Sequence, residues 1–124
     1  MRPDNTTELG RRAEDRALSF LTGQGLDLIE RNYRCRAGEI DLVMRQRSTL
    51  VLVEVRSRAR SDFGGAAESV GRRKQQRFVR AARHLLMVRP ELAALCARFD
   101  VVAIDGDAPN DRLEWIRDAF CASD

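Results

Sequence analysis

Apolar and polar positions recur along this chain with two periods, one of three to four residues and one of two, and the changeovers mark its elements. Ala13, Ala17, Phe20 and Leu21 fall on one stripe at helical spacing, which predicts a first helix over about residues 6 to 22. Asn5 with Glu8 three residues on resembles a capping box, and Gly23 and Gly25 end the pattern. Glu14 lies in line with Gly10, Ala17, Leu18 and Leu21, so it points partly inward; an exposed helix charge is the ordinary alternative. The period then shortens. LDLIERNYR (26–34), GEIDLVMR (38–45) and TLVLVEVRS (49–57) read as strands. The gap from Gln46 to Ser48 is short enough for a hairpin, which makes the second and third strands antiparallel neighbours. In the third, Val51, Val53 and Val55 take one face and Leu50 and Leu52 the other, as in a central strand covered on both sides.

Helical spacing returns over about residues 72 to 88, where Phe78, Ala81, Ala82 and Leu85 make a buried stripe before Pro90. RFDVVAID (98–105) reads as a fourth strand. A strand, a helix and another strand in that order favour a right-handed parallel crossover, so the sheet is mixed. Residues 112–120 (RLEWIRDAF) fit either a short helix or an edge strand. The expected fold is therefore α/β, in the order α-β-β-β-α-β about a central mixed sheet. With 124 residues and neither repeats nor linkers, the chain is one domain with one core.

Composition narrows the classes. A hydrophobic content of 44% argues for a folded domain over disorder. No apolar run approaches the roughly 20 residues needed to span a bilayer, and MRPDNTTELGRR lacks the apolar core of a signal peptide, so a cytoplasmic location with no membrane partner is expected. Cys35, Cys96 and Cys121 are far apart and odd in number, which reads as ordinary thiols and not as a disulfide or zinc framework. The net charge of +3 says little, but its distribution says more. Residues 69–90 carry seven cations and no acid, whereas residues 100–124 carry seven acids and two arginines. That asymmetry suits one face for a polyanion, a solvated helix face being the plainer account. Lys74 is the single lysine among 22 cations.

Two carboxylates stand where strands rarely place them. Asp41 sits in Ile40-Asp41-Leu42-Val43, and Glu54 in a run of valine and leucine. An ionised carboxylate among apolar neighbours costs several kcal/mol unless something compensates it. A hairpin centred near residue 47 pairs residues whose numbers sum to about 94 to 96, which sets Asp41 across from residues 53 to 55. Like charges so placed repel, and a divalent cation relieves such a pair. Oxygen ligands without His or Cys suit Mg²⁺ or Mn²⁺. Arg56 follows on the same strand face. The alternatives remain an Glu54–Arg56 ion pair and Asp41 as a turn cap. Lys74 lies in line with Phe78, Ala81 and Leu85 and so faces the core side, unless it snorkels to solvent. His84, the one histidine, reads as a surface residue.

GEIDLV at 38–43, VLVEVRSR at 51–58, FGGAAESV at 63–70 with Lys74 four residues later, and RFDVVAI at 98–104 together resemble the YraN family. Glu14 ahead of Ala17 and Leu21 matches as well, and the resemblance runs from about Gly10 to Ile104. It implies a three-layer α-β-α fold like that of restriction endonucleases and Holliday-junction resolvases, the PD-(D/E)xK group. By position, Asp41 is similar to that group's metal-binding aspartate, Glu54 to the acid of its ExK motif, and Glu14 to the helix glutamate of the resolvase-like branch. Arg56 stands where the group usually has lysine. Arginine can stabilise developing charge but cannot act as a base, so activity survives this exchange only if the lysine's role is electrostatic. Lys74 is a candidate to substitute from the neighbouring helix.

The function expected from these readings is a Mg²⁺- or Mn²⁺-dependent nuclease-like protein acting on DNA, branched or otherwise structured. Asp41 and Glu54 would be metal ligands, Glu14 would assist, and Arg56 would support the phosphate, with Lys74 the candidate to substitute for it. Arg34, Arg36, Arg58, Arg60, Arg72, Arg73, Arg77 and Arg80 would hold the nucleic-acid backbone without reading sequence. The alternatives are a nucleic-acid-binding module without catalysis and a protein-interaction domain. A homodimer is suggested by analogy with resolvases alone.

Overall fold

Two helices cover opposite faces of a five-stranded sheet, and the alternation along the central strand explains why both faces need covering. The computed structural model describes residues 8–58, 71–106 and 109–119. The elements run α1 (Glu8–Gly23), β1 (Asp27–Cys35), β2 (Gly38–Gln46), β3 (Thr49–Arg58), α2 (Arg72–Val88), β4 (Cys96–Asp105) and β5 (Arg112–Ile116), with a short 3₁₀ helix, Pro90–Ala94, after α2. Strand order in the sheet follows chain order. Neighbours are antiparallel except β3 and β4, which are parallel across the α2 connection. The sheet is thus mixed and the architecture three-layered, as expected.

On one face, Ala13, Ala17 and Leu21 of α1 pack with Leu42, Met44, Val51, Val53, Val102 and Ile104. On the other, Phe78, Ala81, Ala82 and Leu85 of α2 pack with Ile40, Leu50, Leu52 and Phe99. Gly25, at φ 97°, closes α1. The Leu26 N–H donates to Leu21 O and the Gly25 N–H to Thr22 O, both at 3.1 Å, the paired bonds by which a left-handed residue satisfies the last helical carbonyls. Asn5, the expected cap at the other end, lies outside the described residues, as do FGGAAESV, Arg60 and Cys121.

The ambiguous tail is an edge strand, so the order gains a fifth strand beyond the α-β-β-β-α-β expected. Leu113 and Trp115, two residues apart, both pack against the α1-side core, a period that a strand accommodates and a helix does not. A buried carboxylate fastens this edge. Asp100 is fully buried. Its Oδ1 accepts from Arg98 Nε and the Asp118 N–H, each at 2.9 Å, and its Oδ2 from Arg98 Nη2 at 3.0 Å and Trp115 Nε1 at 2.8 Å.

The opposite edge is interrupted. β1 shifts register between Leu28 and Glu30, and Asn32 adopts φ 53°. Arg31 consequently reaches Glu14 on α1, whereas Tyr33, which simple alternation would put on the same face, hydrogen-bonds His84 Nδ1 on α2. His84 is exposed, as the sequence suggested. Cys35 and Cys96 are free thiols. No described helix is long and apolar enough to cross a membrane.

Candidate functional site

The β2–β3 hairpin has the register the sequence required. Its last rung pairs Leu42 with Val53, so one step further the strands bring Asp41 alongside Glu54. Beyond that rung the Val55 N–H donates to Asp41 Oδ2 at 2.8 Å. The carboxylate thus satisfies backbone where the ladder stops. Asp41 and Glu54 are 7% and 4% exposed, yet both line a cavity of about 430 Å³ between the β1–β2 hairpin and α2.

Lys74, one turn before the buried Phe78, carries its ammonium to 3.0 Å from Glu54 Oε2. Arg56, two residues beyond Glu54 on the same strand, places Nη1 3.6 Å from that same oxygen. The helix lysine is the nearer cation and lines the cavity, whereas Arg56 does not. Of the arginines singled out for the nucleic-acid backbone, Arg34, Arg36 and Arg77 line the cavity. Arg72, Arg73 and Arg80 are exposed on α2 outside it, and the Arg58 side chain is not described. Glu14 is not brought into the cavity. It is buried on α1, with Arg31 Nη2 at 3.3 Å.

Four lining residues were not among the site residues the sequence suggested: Cys35, Gly38, Glu39 and Phe78. Glu39 faces Arg34 across the β1–β2 ladder and pairs with it at 3.3 Å, and its place beside Gly38 in GEIDLV was the available signal. Gly38 has its own reason. A β-carbon there would sit 3.0 Å from the Arg77 carbonyl oxygen, so any larger residue would push the hairpin end and α2 apart by a few tenths of an ångström.

Burial raises the Asp41 pKa well above the ordinary carboxylate value, and the charge of Glu54 raises it further. The Val55 N–H opposes the rise, while Glu14 and Glu39 add to it. Because the folded state then holds this proton more tightly than the unfolded chain, the aspartate destabilises the metal-free fold increasingly as pH rises from the ordinary carboxylate value, levelling off above the raised one. In EDTA, Asp41→Asn is therefore expected to gain stability relative to the parent protein as pH increases, by up to about 1.4 kcal/mol per unit. Urea unfolding across roughly pH 4 to 8 checks this, and a difference independent of pH would refute it.

The donor set fits a hard divalent cation. Among the described residues, Asp41 Oδ2 accepts from the Val55 N–H and Glu54 Oε2 faces Lys74 and Arg56, so the pair offers oxygen donors alone, the type a hard cation takes. No third His, Cys, Asp or Glu completes a cage among the described residues. Water and a substrate phosphate would fill the remaining positions, as is usual for Mg²⁺.

Comparison with known proteins gives the lineage. The chain is 51% identical over 121 residues to a UPF0102 protein of Dechloromonas aromatica, covering 98% of this chain and 95% of that one. It is 54% identical over 122 residues to UPF0102 protein RSc3265 of Ralstonia nicotianae, covering 95% and 90%. Among solved structures, Pyrococcus furiosus SfsA in complex with Ca²⁺ aligns at a TM-score of 0.40 and 13% identity, over 86% of this chain and 63%, less than two thirds, of that one. The pattern of the uncharacterised protein family UPF0102 matches residues 13–104, and with relatives at about half identity over nearly its whole length, the chain belongs to that family, the YraN family.

Proposed function

We propose that this protein is a metal-dependent nuclease-like enzyme that hydrolyses DNA phosphodiesters. The observation that carries the reading is the convergence of two buried carboxylates, Asp41 and Glu54, in one open cavity with an ammonium against one of them and arginines on its walls. Burying like charges together is unfavourable for the fold alone, and so supports a role in holding a cation. Bound Mg²⁺ or Mn²⁺ would supply polarisation of a phosphoryl oxygen and a lowered pKa for the attacking water. Asp41 and Glu54 would hold it. Lys74 would place positive charge where the phosphate gains negative charge and, unlike arginine, can also give up a proton. Arg34, Arg36 and Arg77 would grip the adjoining backbone.

A second reading, a binding module without catalysis, is favoured by Glu54 Oε2 already being shared by Lys74 and Arg56. The two separate in one assay. Purified protein is incubated with labelled junction, duplex and single-stranded DNA in Mn²⁺ or EDTA, beside Asp41→Asn and Glu54→Gln. Metal-dependent cutting that both variants lose is the expected result. Salt-sensitive binding without cutting would establish the module instead.

A further inference from the structure

Building on the reading of this cavity as a phosphodiester site, we infer that the substrate enters it as a single strand with one nucleotide seated inside, and that an intact duplex is excluded. The first argument is size. The cavity is a cleft of about 430 Å³. That volume lies within the roughly 300–1,000 Å³ that encloses a small-molecule-sized ligand, the scale of one nucleotide. The second argument is depth. Asp41 and Glu54 are nearly inaccessible, so a phosphate lying on the surface of a rigid duplex does not reach them, whereas a flexible strand can bend inward.

The third argument is that one wall is shut. A β-carbon added at Gly38 would already crowd the Arg77 carbonyl oxygen at 3.0 Å, so a strand cannot continue straight between the hairpin end and α2. It must end there or turn. Cations on both walls suit a strand that bends, with Arg34 and Arg36 beside the hairpin turn and Lys74 and Arg77 facing them from the helix. A paired base would have to be unstacked before its phosphate entered, at a cost of a few kcal/mol that a single strand does not bear.

Fluorescence anisotropy tests this with a labelled oligothymidylate, a blunt duplex and a single-strand-tailed duplex of equal length, in Ca²⁺ at one salt concentration. The single strand and the tailed duplex are expected to bind at least about tenfold more tightly than the blunt duplex, and thymidine monophosphate to compete with them. Arg77→Ala should erode the preference, while Arg80→Ala, outside the cavity, should weaken all three substrates alike. Gly38→Ala should also erode it by prising hairpin from helix; should that variant not fold, Arg77→Ala still decides. Equal or tighter binding of the blunt duplex, or a preference untouched by Arg77→Ala, overturns the inference. Metal-dependent cutting of blunt duplex without preference would overturn it while the nuclease reading stands, and no nucleic-acid binding at all would remove both.

Discussion

Replacing Asp100 with alanine is expected to lower the unfolding free energy by about 3–5 kcal/mol, the range found when one partner of a buried ion pair is deleted. The carboxylate has no exposure and accepts four hydrogen bonds, two from Arg98, one from the Trp115 indole and one from the Asp118 backbone. Alanine would leave a guanidinium, itself 23% exposed, without its counter-charge, and would leave the indole and amide donors unpaired. Because β5 hangs on the sheet through this residue as well as through its ladder with β4, amide exchange should accelerate first along Arg112–Ile116. Asp100→Asn keeps two acceptors' worth of geometry only in part, so it should fall between alanine and the parent. Urea unfolding with unchanged m-value measures the loss. A cost below about 1 kcal/mol would show that the cluster is a surface-like ion pair instead.

The second large effect concerns which cation serves Glu54. Lys74→Ala is expected to reduce metal-dependent cutting by about 10²–10³-fold, the scale for removing one preorganised electrostatic group, and Arg56→Ala by less than about tenfold. The difference follows from position. The ammonium lies 3.0 Å from Glu54 and lines the cavity, while the guanidinium lies at 3.6 Å and does not. The loss should appear in kcat and leave KM for DNA nearly unchanged, since the walls retain Arg34, Arg36 and Arg77. Lys74→Arg separates two chemistries: recovery of the rate would assign the lysine a purely electrostatic role, and failure to recover would assign it proton transfer. A full rate in Lys74→Ala with a crippled Arg56→Ala would return that role to the strand.

Much of this arrangement was legible because short-range rules decide it. The short gap from about Gln46 to Ser48 confined the pairing sum to about 94 to 96, and the observed Leu42–Val53 rung, at 95, falls within it. Alternation along β3 and the stripe of Phe78, Ala81, Ala82 and Leu85 set the two covered faces. What eluded the sequence depends on contacts between distant segments. Asp100 showed the same anomaly as Asp41, an acid within a strand, but its partners Trp115 and Asp118 belong to a segment whose period was too short to classify. Glu14 sat on the inward stripe as anticipated, yet its destination depended on Asn32, whose left-handed backbone turns Arg31 toward α1. Gly38 read only as the first residue of the second strand, and the approach of α2, with the Arg77 carbonyl 3.0 Å from where its β-carbon would stand, shows why a small residue sits there.

The broken line of β1 has a consequence for how the protein behaves at high concentration. A second molecule aligning its backbone with this border would find consecutive amides in phase for only a few residues before the offset at Leu28–Glu30, and again before Asn32. The interruption therefore works against chains stacking edge to edge along this side, where a nine-residue strand ends the sheet.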